Sequence, residues 1–123
     1  MDSPGFYYDA GTGKTLQVQR QPFGVASSGD NTLLAAQGGS VRVLAMTAIL
    51  SAQENLYFTS GTGGAVIFGD STNKIPPAAN GGWVMNRNED GWMQTGVNAA
   101  LVVNKSGSGV FAGGFTYVVI PPN

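Results

Sequence analysis

A chain of 123 residues, 42% of them hydrophobic and 11% charged, has the size of one domain and leaves no room for a second. The formal net charge is −1, and the six basic residues (Lys14, Arg20, Arg42, Lys74, Arg87, Lys105) stand singly, which excludes the clustered cations that a nucleic-acid interface needs. Cysteine and histidine are both absent. Their absence removes the usual zinc ligands, the thiolate nucleophile and the side chain that titrates near neutral pH.

The opening Met1-Asp2-Ser3-Pro4 lacks a basic n-region, and no apolar h-region follows. The longest apolar stretch, Val41 to Leu50, is too short to span a bilayer. The expectation is a chain made in the cytoplasm without a membrane partner. Residues 1–13 place Pro4, Gly5, Gly11 and Gly13 around Phe6-Tyr7-Tyr8, and this density of breakers predicts an extended N-terminal arm with aromatic anchors. The remainder, 14–123, is expected to be the folded domain.

Thr15 to Gln19 alternates and predicts a first strand with Leu16 and Val18 inward. A short strand over Thr32–Ala36 follows the turn at Ser28-Gly29-Asp30-Asn31. Val41 to Ser51 is the strongest strand, with Val41, Val43, Thr47 and Ile49 on one face and Leu44, Met46, Ala48 and Leu50 on the other. Both faces are largely apolar, as in a strand covered on both sides. A buried helix competes for this segment, but its β-branched residues and flanking glycines favour the strand.

Asn55–Thr59 and Ala65–Phe68 flank Gly61-Thr62-Gly63-Gly64 and predict a hairpin. Ile75-Pro76-Pro77 suits an edge or a crossover. Short strands are expected from Trp83 and from Trp92, separated by a turn at Asn88-Glu89-Asp90-Gly91. Ala99–Asn104 and Val110–Ile120 flank Lys105-Ser106-Gly107-Ser108-Gly109, the length and composition of a hairpin loop. In the last strand Phe111, Phe115, Tyr117 and Val119 share a parity, with a bulge expected at Gly113-Gly114. The prediction is an all-β, single-domain antiparallel β-sandwich, jelly-roll-like, with about eight short strands.

No motif carries catalysis, and neither a catalytic residue nor a cofactor or metal site is predicted. Gly11-Thr12-Gly13-Lys14-Thr15 imitates a phosphate loop, but Tyr8 stands where the first glycine belongs. Glu54-Asn55-Leu56-Tyr57-Phe58 imitates a protease recognition sequence inside an expected strand. The carboxylates Asp9, Asp30, Glu54, Asp70, Glu89 and Asp90 fall nearly all in turns, with nothing around them to bury a hydrolytic pair. Trp83 and Trp92, with Asn80, Asn86 and Asn88, could form a sugar-stacking platform, although indoles more often fill a core or an interface. Phe6, Tyr7 and Tyr8 are candidates for contact with a larger partner or a sister subunit. So few charges on so small a chain favour an oligomer, or a chain docked on a larger surface.

From Val41 onward the order of segments is VRVLAMTAILSA, LYFTSGTGG, IPPAANGG, DGWMQT and GVFAGGFTYVVI. It resembles a family of small structural proteins of tailed bacteriophages over about two-thirds of the chain. The matching positions are Asn80, Gly81, Gly82, Gly91, Trp92, Thr95, Gly113, Gly114 and Tyr117. The chain departs from the pattern at Gly96-Val97-Asn98, where relatives carry a longer glycine-containing segment. The resemblance implies a virion component at the capsid surface, a decoration or cement protein. Such a protein is a homotrimer whose partner is the major capsid protein. The alternative is a receptor- or glycan-binding module of a tail or head fibre, built on Trp83, Trp92, Asn86 and Asn88.

Overall fold

The computed structural model describes residues 5–69 and 80–122. Met1–Pro4 of the expected arm, Asp70, Lys74 and the Ile75-Pro76-Pro77 crossover lie outside them. The described chain is all-β and antiparallel. Its strands are β1 (Phe6–Asp9), β2 (Lys14–Gln17), β3 (Gln19–Val25), β4 (Gly29–Leu34), β5 (Ser40–Leu50) and β6 (Leu56–Ser60), followed by β7 (Ala65–Phe68), β8 (Gly81–Met85), β9 (Met93–Gln94), β10 (Leu101–Lys105) and β11 (Phe111–Ile120). That makes eleven among the described residues, against about eight expected. The surplus comes from β1 and from β3, which the break at Val18 separates from β2; the two-residue β9 answers to the short strand expected from Trp92.

The strands form three sheets. One has the order β3-β11-β5-β8, with β9 also on β5; a second has the order β4-β10-β6-β7; β1 and β2 form the third by themselves. Residues of both larger sheets share one buried cluster. The first contributes Val41, Val43, Met46, Ala48, Leu50, Phe111, Phe115 and Tyr117, and the second Leu33, Leu56, Phe58, Leu101 and Val103. Aromatic rings fill its centre: Phe58 lies 6.3 Å from Trp83 and 6.4 Å from Phe111, and Phe23 lies 5.1 Å from Phe111. Truncating one such fully buried ring costs about 3–5 kcal/mol.

The expected parity of β11 is met, with Phe111, Phe115, Tyr117 and Val119 all turned to the shared core. That of β5 is not. The β5–β11 register shifts between Thr116 and Tyr117, which pair with Ala45 and Val43 and leave Leu44 as the extra residue. Beyond this bulge the alternation reverses. Val41, Val43, Met46, Ala48 and Leu50 therefore share the core side, while Leu44, Thr47 and Ile49 face the other way. The bulge was expected at Gly113-Gly114; no register shift occurs there. A Cβ on Gly113 would collide with the Thr47 carbonyl and Ala48, so this glycine lets β5 and β11 approach.

Two further expectations are corrected. Residues 6–9 are not an extended arm but a strand, paired from Phe6–Gln17 to Asp9–Lys14. The turn is closed by Asp9, whose carboxylate accepts from the Thr12 amide at 3.0 Å and its hydroxyl at 2.7 Å, and whose carbonyl accepts from the Gly13 amide. Glycines that looked like breakers thus serve a hairpin. Second, β10 and β11 are not a hairpin: β10 pairs with β4 and β6, and β11 with β3 and β5. The loop between them crosses from one sheet to the other. By contrast, β6 and β7 do pair as the expected hairpin.

Candidate assembly surface

The β1–β2 hairpin lies on the side of β5 and β11 that faces away from the shared core. Tyr7, Val18, Leu44, Val118 and Ile120 form a second buried cluster there, with Leu16 against it. Alternation produces this directly: Tyr117 and Val119 go to one core, Val118 and Ile120 to the other. The bulge at Leu44 keeps β5 in step with β11 on this outer face.

A polar clamp holds the hairpin down. The Arg42 guanidinium donates from Nη1 to the Tyr7 hydroxyl at 2.6 Å and to Asp9 Oδ1 at 3.3 Å, and from Nε to Gln94 Oε1 at 2.8 Å. The Tyr7 hydroxyl in turn donates to the Glu89 carbonyl at 2.6 Å. The Asp9 carboxyl is held below its ordinary value, chiefly by the Thr12 hydroxyl. Burial opposes that effect, and the Thr12 amide and Arg42 reinforce it. A polar recess of about 540 Å³ borders the clamp, lined by Tyr7, Tyr8, Asp9, Arg42, Glu89 and Asp90.

The hairpin covers only half of the outer face. Past Leu44 the registers set out a lattice with no further described strand over it. One row runs Gly24, Ala112, Ile49, Gly82; the next Pro22, Gly114, Thr47, Val84; and the third Arg20, Thr116, Ala45. Arg20 carries the lattice's one charge. Ile49 is 61% exposed and Val84 68%, far beyond what a β-branched side chain in mid-strand normally shows. Where Gly114 has no side chain the surface sinks into a depression of about 350 Å³, walled by Arg20, Pro22, Ala45, Thr47, Phe115 and Thr116. The buried Thr116 hydroxyl oxygen has no hydrogen-bond partner among the described residues.

The residues singled out from the sequence divide. Phe6 and Tyr8 are 71% and 64% exposed on the outer side of the hairpin. Tyr7, expected to make contacts beside them, is 6% exposed and belongs to the inner cluster. Trp83 turns inward, stacking edge-on against Phe68 and Phe111. Trp92 is partly exposed, and its ring N–H donates to the Asn86 carbonyl at 2.7 Å. Trp83 pairs with Ala48, while the Trp92 amide bonds to the Val43 carbonyl. Five residues of β5, about 17 Å at the rise of a strand, therefore separate the points where the two tryptophans attach; Trp83 faces the core, so the two indoles share no platform. Asn88 spends its side-chain oxygen on the Asp90 amide.

Sequence reasoning missed two groups. Glu54, counted among carboxylates with nothing around them to bury them, is 5% exposed and bonds Lys105 Nζ at 2.7 Å; Lys105 is itself 1% exposed. Lys105 also donates to the Gly107 carbonyl at 2.8 Å, and Glu54 accepts from the Gly109 amide. This buried pair ties the β5–β6 loop to the β10–β11 loop, 51 residues away. Its signal was hidden, because a lone Glu and a lone Lys at that separation look like surface charges. The outer lattice was missed for another reason: the parity that creates it depends on the bulge at Leu44. No family model matches the chain, and no curated protein or solved structure shows significant similarity to it.

Proposed function

We propose that this chain is a virion structural protein that decorates the outside of a phage capsid and stabilises it by bracing adjacent major capsid proteins. The observation that carries the reading is the outer lattice on β3, β11, β5 and β8. It is broad, nearly uncharged, dented at Gly114, and flanked by a hairpin presenting Phe6 and Tyr8. Apolar patches of this kind mark protein–protein contact. The charged side chains behind it are engaged with one another, Lys105 with Glu54 and Arg42 with Asp9. Such a body acts by binding, adding a mass-action term to the stability of the assembled shell alone. Assembly as a homotrimer, the form the phage resemblance implies, belongs to the same proposal.

The finer architecture we infer is a jelly-roll sandwich. Leaving aside β1, β2 and β9, the remaining eight strands stand in the orders first-eighth-third-sixth and second-seventh-fourth-fifth. Those orders match the two sheets of a jelly roll, in which every connection but the β6–β7 hairpin passes from one sheet to the other.

The test uses expanded empty heads of the phage that carries the chain. Saturable binding, in a copy number matching the capsid symmetry and with heads that survive higher temperature, is the expected result. Heads that neither bind the protein nor gain heat resistance would sink the reading. Retention of the protein on a glycan surface, with quenching of Trp92, would move the assignment to the receptor-binding alternative.

A further inference from the structure

Two asparagines hold a left-handed backbone, Asn80 with φ 58° and Asn98 with φ 55°, a conformation that asparagine tolerates better than most residues. The turns explain why asparagine stands at both places. Their chemical settings differ. Asn98 precedes Ala99, and its side-chain oxygen accepts from the Gly38 amide at 3.0 Å. Asn80 is exposed, and it is the one asparagine in the chain that precedes a glycine. With no Cβ beside it, the Gly81 nitrogen is open to approach.

We infer that Asn80-Gly81 is a site of spontaneous covalent modification, at which the Asn80 side-chain amide becomes a carboxylate through a cyclic imide. The Gly81 nitrogen attacks Asn80 Cγ. That C–N bond forms, the bond from Cγ to the side-chain nitrogen breaks, and ammonia leaves with the proton that Gly81 gives up. Water then opens the five-membered ring. Cleavage between the Gly81 nitrogen and Cγ leaves aspartate. Cleavage between the same nitrogen and the Asn80 main-chain carbonyl leaves isoaspartate, whose main chain runs on through Cγ. The sum is amide and water giving carboxylic acid and ammonia, with no oxidant or reductant.

The fold favours this site a second way. β8 is an edge strand, with β5 its one neighbour among the described strands. Gly81, opposite Leu50, is its first rung, and the Asn80 amide donates to the Leu50 carbonyl at 2.7 Å. Freeing the Gly81 nitrogen therefore needs the end of one edge strand to fray, not the core to open. Asp90-Gly91 can close the same ring by losing water. There, however, the Gly91 amide donates to the Asn88 carbonyl at 2.9 Å, and the Arg42 side chain packs against the glycine.

The product bears on the outer lattice. Asn80 stands two residues before Gly82, where β8 enters that lattice opposite Ile49. A carboxylate there adds a negative charge beside a surface whose one charge is Arg20, and isoaspartate also lengthens the main chain of β8. This consequence rests on the reading of the lattice as a capsid contact; the chemistry does not.

The experiment ages the folded chain in warm, mildly alkaline buffer and follows each asparagine by peptide mass mapping. Trypsin releases residues 75–87 as one peptide, so Asn86 serves as a comparator beside Asn80. Asn80 is expected to gain the mass of a carboxyl about tenfold faster than Asn86 or Asn98, a barrier lower by about 1.4 kcal/mol. An isoaspartyl methyltransferase should label the product. Gly81→Ala, which suits a strand position and shields the nitrogen, should slow the change, and Asn80→Gln, which needs a six-membered ring, should suppress it. Both variants are checked for folding by circular dichroism. An Asn80 that stays intact, reacts no faster than Asn86 and Asn98, or reacts equally fast in Gly81→Ala overturns the inference. Binding to expanded empty heads is read separately, with fresh chain, aged chain and Asn80→Asp. Aged chain and Asn80→Asp should lose binding that fresh chain retains, and equal binding by all three overturns the effect on the lattice. Fresh chain that binds no heads removes the decoration reading and leaves the modification of Asn80 standing.

Discussion

Two adjacent glycines show how far single atoms decide this structure. Gly113 sits where β11 crosses β5, and a Cβ there would run into the Thr47 carbonyl and Ala48. Gly114 faces the outer lattice, and its Cβ would meet nothing closer than 3.4 Å. Gly113→Ala should therefore destabilise the chain by about 1–3 kcal/mol, as overpacking does. Gly114→Ala should stabilise it by about 0.5–1 kcal/mol, by removing the entropy cost of a mid-strand glycine. Urea titration of both variants checks the contrast; equal effects would mean that β5 and β11 are not apposed as described. The pair also marks the limit of what could be read from the chain. Its two glycines were legible as unusual, and the parity of Phe111, Phe115, Tyr117 and Val119 was legible outright. Which glycine is constrained depends on a partner strand more than sixty residues away. The same holds for Glu54 and Lys105, whose burial follows from tertiary placement and not from their neighbours in sequence.

At the scale of elements, the β1–β2 hairpin is held by few groups, and one of them titrates. Folding lowers the Asp9 carboxyl below its ordinary 3.8, the Thr12 hydroxyl contributing most. The formed hairpin thus binds the proton less readily than an unfolded one. The stabilisation from Asp9 is complete above the ordinary value and is lost as the pH falls through the lowered one. Acidification should release the hairpin before the main sheets, since Tyr7 and Leu16 contribute little apolar area beside the shared core. Hydrogen exchange of the β1 and β2 amides, followed between about pH 6 and pH 2.5, should show protection falling ahead of β5 and β11. In Asp9→Asn that difference should be independent of pH. Simultaneous loss in all strands, or a variant that keeps the pH response, would contradict the clamp. Glycine spacing alone could not reveal this hairpin, because Asp9 and Thr12 close a turn that the surrounding Gly and Pro made look like open chain.

For the molecule as a whole, the decisive feature is where the last two strands go. β10 lies between β4 and β6, and β11 between β3 and β5, so neither larger sheet exists until the C-terminal segment arrives. Among the described residues, β3 has no sheet neighbour but β11, and β4 none but β10. The Tyr117 hydroxyl donates to Gln19 across 98 residues, a closure whose chain entropy must be met before the core rewards it. Refolding should therefore be slow for the size of the chain, in the range of milliseconds to seconds, as for other folds dominated by distant pairing. A chain ending at Lys105 should keep no cooperative transition, because β3 and β5 would lose the strand that joins them and the shared core would lose Phe111, Phe115 and Tyr117. Denaturant titration with stopped-flow refolding tests both statements. Submillisecond refolding, or a sharp unfolding transition in the shortened chain, would show that β3 to β8 cohere without β11. The same arrangement bears on assembly. The outer lattice spans β3, β11, β5 and β8, so it is complete only when β11 is in place, and a chain that has not finished folding lacks the surface on which the proposed capsid contact rests.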